Sequence, residues 1–325
     1  MPPPVPLVRV VRSGFEESVH WGSVAVADAD GSLVASAGEP GRVAFARSSM
    51  KPLQAAVSLH LAGESPSERE VAIMCASHNG EPVHVEAVEA LLSRGGLEAD
   101  ALRCPPALPA DPEDARRVPG PAPALHNCSG KHAGMLLACV RRGLEVETYP
   151  DPRHPLQAAV LGAVRTAAGA DPRAVGVDGC GVPVHALTLT ELATIYARLA
   201  RPDRLGELAA TTARATGAML AEPYLVGGRD RVCTAVMEDV PGVLVKVGAE
   251  GLVCAALWEQ GLGIAVKAED GAARAQAPAV LRVLRLLGAL GHQAEGALAG
   301  FVRPPALGGG RPVGRLEADF DLVPA

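Results

Sequence analysis

Residues 46–55, ARSSMKPLQA, decide how this chain is read. Ser48 stands three residues ahead of Lys51, and Pro52 follows, a residue tolerated only in the first turn of a helix. Leu53, Ala56, Val57 and Leu61 then recur at helical spacing as far as Gly63, so a helix starting close to Ser48 is predicted. At a helix start, positions i and i+3 share a face, which lets a hydroxyl meet an amine. A serine hydroxyl becomes a useful nucleophile only when a base takes its proton. A lysine is that base only if burial or a neighbouring cation lowers its pKa. The same helix start offers backbone N–H groups to a developing oxyanion. The plain alternative is a polar helix entry, since Ser-x-x-Lys recurs by chance in chains of this length.

Working outward, residues 18–38 (SVHWGSVAVADADGSLVASAG) read as a β-hairpin: Val24 and Val26 alternate, Asp30-Gly31 turns, and Leu33-Val34-Ala35 returns. Beyond the Ser48 helix, another is predicted over 85–94. Residues 104–124 hold seven prolines without a clear period, a long loop that is either functional or mobile. Residues 126–143 read as a loop entering a helix, with Ser129 near the N-cap and Gly143 past the end. Pro155 opens a further helix, and Thr188 with Glu191 forms a capping box for the next. The last third gives strands at VLVKVG, LVCAALW and GIAVKA, then the amphipathic ARAQAPAVLRVLRLLGAL. The economical plan is one α/β (α+β) domain over 1–325. Its antiparallel sheet, from about 1–46 and 240–325, is flanked by helices, with a helical lobe (about 47–239) inserted.

Composition narrows the function classes. With 325 residues, 48 % hydrophobic but only 3 % aromatic, the core must be built from Ala, Val and Leu. A net charge of -6 with mixed signs gives no basic stripe for nucleic acid and no polybasic patch for a membrane. The opening MPPPVPLVRVVRSG does not read as a signal peptide, and Lys246 and Glu250 interrupt the most hydrophobic region, so a cytoplasmic protein is expected. Seven scattered cysteines make no disulfide framework and are read as thiols, with Cys75, Cys139 and Cys254 in the core.

Two constellations remain. In class A β-lactamases and penicillin-binding proteins, a hairpin, S-x-x-K at a helix start, an S-D-N-like element and K-T-G on a late strand follow one another. Here Ser77-His78-Asn79 and Lys246-Val247-Gly248 occupy the later places in that order. The second constellation is Cys128-Ser129-Gly130-Lys131-His132 with Asp178-Gly179-Cys180-Gly181. Two thiolates and a nitrogen donor suit Zn²⁺. On residue types alone, two buried thiols in tight turns are the stronger reading, and His126, His132 and His78 are more conventional donors than Lys131. Arg229-Asp230-Arg231 reads as a solvated loop or as an anchor for a carboxylate.

Taken together, S-S-M-K-P, C-A-S-H-N-G-E-P, H-N-C-S-G-K-H-A-G-M, D-G-C-G-V-P and K-V-G-A-E-G resemble the Rhizobium etli-type L-asparaginases, also called asparaginase II or class 3. The resemblance runs from R-S-G-F-E-E-S-V-H-W-G to R-P-V-G-R-L. It implies a serine β-lactamase/glutaminase-like fold and hydrolysis of L-asparagine to L-aspartate and ammonia through a serine-linked acyl-enzyme. Ser48 and Lys51 match the family's nucleophile and base, and Ser77 its second serine, with Asn79 an alternative alignment. Lys246 matches its second lysine, with Lys267 as fallback. Cys128, Lys131 and Cys180 match zinc ligands, reversing the preference for histidine. Arg47, Asn79, His132, Asp178 and Gly248 are expected around the substrate. A homodimer acting on a small molecule, without nucleic-acid or membrane partner, is expected. A glutaminase, another serine amidohydrolase or peptidase, or a non-catalytic zinc-binding protein are the competing readings.

Overall fold

The computed structural model describes residues 2–64 and 66–325. β1 (Val5–Arg12) and β2 (Phe15–Asp28) open the chain, joined through Ser13 and Gly14, both at positive φ. β3 (Leu33–Ala37) returns after a turn in which the Asp28 carboxylate accepts from Asp30 N and Ser32 N, and Val26 pairs with Ala35. β1 was not anticipated. Pro6 lies at a register shift, and the strand's burial does not alternate cleanly, so it has no two-residue period to read.

β4 (Val43–Phe45) precedes a 3₁₀ turn, Arg47–Met50, and only then does α1 (Lys51–Ala62) begin. Ser48 therefore sits in the 3₁₀ turn rather than on the α-helix. Pro52 occupies the first turn of α1 and Gly63 ends it at φ 65°. Next come α2 (Glu68–Met74), started by a Ser67–Glu70 capping box, α3 (Pro82–Arg94), and α4 (Pro112–Arg117) within the proline-rich stretch. α5 (Ser129–Arg142) has Cys128 rather than Ser129 at its N-cap and Gly143 past its end. α6 (Pro155–Ala168), β5 (Ala174–Val177) and β6 (Pro183–Thr188) lead into α7 (Leu189–Ala200), which the Thr188–Glu191 capping box starts. α8 (Ala209–Ala221), α9 (Pro223–Val226) and α10 (Val232–Asp239) follow. β7 (Val243–Val247), β8 (Leu252–Leu257) and β9 (Leu262–Ala268) precede α11 (Gln276–Leu286). The chain closes with β10 (Pro305–Gly308), β11 (Arg311–Glu317) and β12 (Val323–Pro324).

These elements form two compact units, one of Met1–Ser49, Ala186–Arg201 and Ala235–Ala325, the other of Met50–His185 and Pro202–Thr234. The first holds an antiparallel sheet in the order β10-β11-β1-β2-β9-β8-β7, with β3 beside β2 and β12 beside β3. Strands from the two chain ends meet where Arg9 pairs with Glu317. α7 packs on β9, β2 and β8, although it lies inside the stretch read as the helical lobe. Glycine permits that packing: a Cβ at Gly263 would lie 1.9 Å from Ala193 O.

In the second unit α1 packs against α5, α6 and α8, and α2 against α3, α5 and α8. The fit of α5 on α2 again needs glycine. A Cβ at Gly130 would lie 2.1 Å from Ile73 O, and one at Gly134 would run into the Met74 side chain at 2.5 Å. The proline-rich stretch is tied down by an antiparallel bridge between Ala107 and Ala122 and by Ala110 N donating to Asn79 O at 2.7 Å. Among the described residues no helix is long and apolar enough to cross a membrane.

Candidate active site

In the helical unit, Lys51 is 1 % exposed despite its charge. The first turn of α1 aims its amine at three acceptors from two other chain segments. Nζ donates to Ala76 O, to Ser77 Oγ at 3.0 Å and to Asn127 O at 3.1 Å. Three partners match the donor capacity of an ammonium. They also suit a neutral amine, whose two N–H groups would serve the carbonyls while its lone pair accepted the Ser77 O–H. Of the three, only Ser77 can exchange a proton with the amine. The loop carrying it is fixed at both flanks, since Ser77 N donates to Val226 O (2.9 Å) and Asn79 N to Gly227 O (3.0 Å).

Cys128, at the N-cap of α5, lies one residue after the carbonyl that Lys51 bonds. It is buried, and a hydrogen bond from the Cys180 thiol holds its own thiol well below the usual range. Burial opposes this shift, and the Lys51 and Lys131 charges reinforce it. Cys180 is pushed up by that same neighbour and by burial, so one proton stays with the pair. Lys131 Nζ donates to Cys180 Sγ at 2.9 Å. Burial works against its ammonium, but the negative Cys128 and the Cys180 contact raise its pKa overall. Asp178 Oδ1 caps the turn by accepting from Gly179 N (2.9 Å), and its Oδ2 lies 3.8 Å from Cys180 Sγ.

Two sulfurs and one amine thus converge, a donor set of the nitrogen and sulfur type that zinc takes. Among the described residues no three His, Cys, Asp or Glu side chains gather to hold a metal, so a site here needs the lysine. Each of the histidines that residue type favours as donors has at least one ring nitrogen in a hydrogen bond. His126 Nδ1 accepts from Cys128 N (3.0 Å), and His78 Nε2 meets Ser129 Oγ (2.9 Å). His132 Nδ1 bonds the Tyr149 hydroxyl, leaving a buried Nε2 without a hydrogen-bond partner among the described residues. Burial holds both His78 and His132 well below the usual imidazole pKa, so both rings are neutral.

Asn79, an expected substrate contact, spends its amide N–H groups on Glu81 Oε1 (3.0 Å) and Arg229 O (2.9 Å). Glu81 also accepts from Tyr224 OH (2.6 Å) and Arg229 N (3.0 Å). Burial raises its pKa, but these bonds hold the carboxyl below its ordinary value overall. Glu81, Tyr224, Ser129 and Asn127 were missed in the sequence. The first two are far apart in the chain, and the others lay unused inside H-N-C-S-G-K.

In the sheet unit, Arg47 takes a φ of 47°, a conformation a side chain adopts only under tertiary constraint, and turns the chain into Arg47–Met50. Its guanidinium lies 4.0 Å from Glu250. Ser48 is half-buried; beside it Ser49 Oγ donates to Ala46 O, and Tyr196 OH donates to Ser49 O at 2.7 Å. Lys246 is fully buried opposite Cys254. Burial pushes that thiol up to about 12, against a Ser49 hydrogen bond and the Lys246 charge, so Lys246 and the Ser48–Ser49 turn adjoin the same sulfur. A Cβ at Gly248 would lie 3.3 Å from Ala46 O, bringing the end of β7 to the same turn. Lys267 has different company. It pairs with Ser23 and Leu252, donates to Ala268 O, and sits among Glu269, Arg42, Glu250 and Asp270, with burial lowering its pKa.

The model of one protein family, L-asparaginase II, matches residues 8–318. No curated protein matches the chain in sequence. Among solved structures it is similar to a Bacillus glutaminase crystallised in 4.3 M NaCl (14 % identity, 82 % of this chain and 91 % of that one, TM-score 0.46). It is also similar to Mglu in its glutamate form (18 %, 82 % and 61 %, 0.48). A third is a β-lactamase from Mycobacterium bovis (15 %, 86 % and 95 %, 0.42).

Proposed function

The chain belongs to the L-asparaginase II family and is an amidohydrolase, and from this we propose that it hydrolyses L-asparagine to L-aspartate and ammonia through an ester on Ser48, in the manner of the Rhizobium etli-type enzymes. The observation that carries the reading is the buried Lys51 amine, whose one proton-exchanging partner among the described residues is Ser77. A lysine held among backbone carbonyls, next to a hydroxyl and within one turn of a second serine, is equipped to pass protons.

In the proposed sequence, neutral Lys51 takes the Ser48 proton and Oγ attacks the side-chain amide carbon. Backbone N–H groups at the start of α1, without intrahelical acceptors, hold the oxyanion. The proton reaches the leaving nitrogen through Ser77, and ammonia departs. Water, deprotonated by the same relay, then cleaves the β-aspartyl ester. Lys246 takes the second lysine's role; its approach to the Ser48–Ser49 turn, by way of Cys254, favours it over Lys267. Cys128, Lys131 and Cys180 would hold a zinc ion, which when bound would supply fixed positive charge that orients substrate. Asp178 and His132, beside the sulfur pair, are proposed substrate contacts, as is Gly248, and Arg47 shapes the turn that presents Ser48.

The test is ammonia release from asparagine and glutamine by wild type and Ser48→Ala. Asparagine should be preferred, and Ser48→Ala, folded by circular dichroism, should release none. Near-normal turnover in that variant would remove Ser48 as nucleophile. A preference for glutamine would move the protein to the glutaminase reading.

A further inference from the structure

A cavity of about 180 Å³ opens in the helical unit beside the residues that hold Lys51. It is lined by His78 and Asn79, which follow Ser77, by Asn127, whose carbonyl bonds Lys51, by Ala107 and Leu108 of the proline-rich stretch, and by Arg231. Among the described residues no carboxylate lines it, and Arg231 is its one permanent charge. The neighbouring arginine shows what a settled partner looks like here: Arg229 reaches Asp111 at 3.8 Å and Asp114 at 3.9 Å. Arg231 is half-buried and has no such partner among the described residues. Its stem is held, since a Cβ at Gly227 would meet Arg231 Cβ at 2.9 Å and Cγ at 3.3 Å. A guanidinium partly removed from water without a counter-charge is unfavourable, and an anion entering the cavity offsets that.

We infer that Arg231 binds the α-carboxylate of the substrate and thereby restricts the enzyme to free amino-acid amides. This inference rests on the amidohydrolase function proposed above. A planar guanidinium suits a carboxylate better than a lone ammonium would, because both partners present two parallel sites. The small cavity suits a single amino acid, and Ala107 and Leu108 of the proline-rich stretch lie along its wall. Arg231 is here a specificity residue, with no part in proton transfer.

The experiment compares asparagine with asparagine α-N-methylamide, which keeps the side-chain amide and lacks the carboxylate. Wild type should prefer asparagine. Arg231→Leu should lower kcat/KM for asparagine on the order of 10- to 100-fold, mainly through KM, as expected for loss of a charge-assisted contact. Its turnover of the methylamide should not fall below that of wild type, and far-UV circular dichroism shows separately that the variant is folded. Arg231→Lys should fall between the two. A binding measurement separates this inference from the catalytic one: calorimetry should find L-aspartate binding to wild type and to Ser48→Ala, weakened by the same factor in Arg231→Leu. An asparagine preference that survives in Arg231→Leu overturns the assignment. So does equal aspartate binding by both proteins, or none by the wild type, whatever turnover shows.

Discussion

Gly130→Ala tests how the site is held together. A Cβ there would lie 2.1 Å from Ile73 O, 2.7 Å from Ile73 C and 2.8 Å from Ile73 Cγ1. Two of these are backbone atoms of α2 and cannot rotate away. An ordinary contact needs more than 3 Å, so α5 and α2 must separate by roughly 1 Å, and overpacking of this kind destabilises by about 1–3 kcal/mol. The N-terminus of α5 carries Cys128, Ser129 and Lys131, and α2 leads into Ser77. The movement therefore strains Lys51–Asn127 O at 3.1 Å and His78–Ser129 at 2.9 Å. Misplacement by about 1 Å lowers turnover on the order of 100-fold. Gly162→Ala is the control: mid-way along α6, a Cβ there meets nothing within 4 Å. It should stabilise by about 0.5–1 kcal/mol, the helix-interior gain of alanine over glycine, with activity intact. Urea unfolding followed by far-UV circular dichroism, with ammonia release on the same samples, reads both effects. If Gly130→Ala matches wild type in both, the close approach of α5 to α2 does not organise the site.

Protein purified without chelators should contain about one zinc per chain by elemental analysis, lost in Cys128→Ser and Cys180→Ser; metal-free protein with full activity would count against the site. Lys246→Met should lower kcat on the order of 100-fold, whereas Lys267→Met should leave it nearly unchanged; the opposite pattern would give the second-lysine role to Lys267. Glu70 tests acid stability. Burial raises its pKa, but hydrogen bonds from Arg94 and Ser67 N hold the folded value below the ordinary one. Wild type should therefore exceed Glu70→Gln by about 1–2 kcal/mol at neutral pH. That margin is complete above the unfolded carboxylate's pKa of about 4.3 and is lost as pH falls through the lower folded value. A margin independent of pH would mean the carboxylate charge is not what holds Arg94.

What the sequence determined by itself is local. Pro52 and Gly63 bracket α1, Thr188 with Glu191 starts α7, Gly143 ends α5, and Asp30-Gly31 turns β2 into β3, because caps and turns are satisfied within a few residues. Motif spacing likewise put Ser48 near Lys51, and Cys128 near Lys131. Even there the boundary depended on surroundings: Ser48 ended in a 3₁₀ turn because Arg47 is held at positive φ and Ser49 is pinned by Ala46 and Tyr196. Tertiary structure alone decided the pairings across long separations. Among these are Lys51 with Ser77 and Asn127 O, Lys131 with Cys180, and β1 with β11. It also left Arg231 facing a cavity while Arg229 found its carboxylates. Periodicity reports which face of an element is buried but not what lies opposite, and for a buried amine or thiol the partner sets its charge and chemistry.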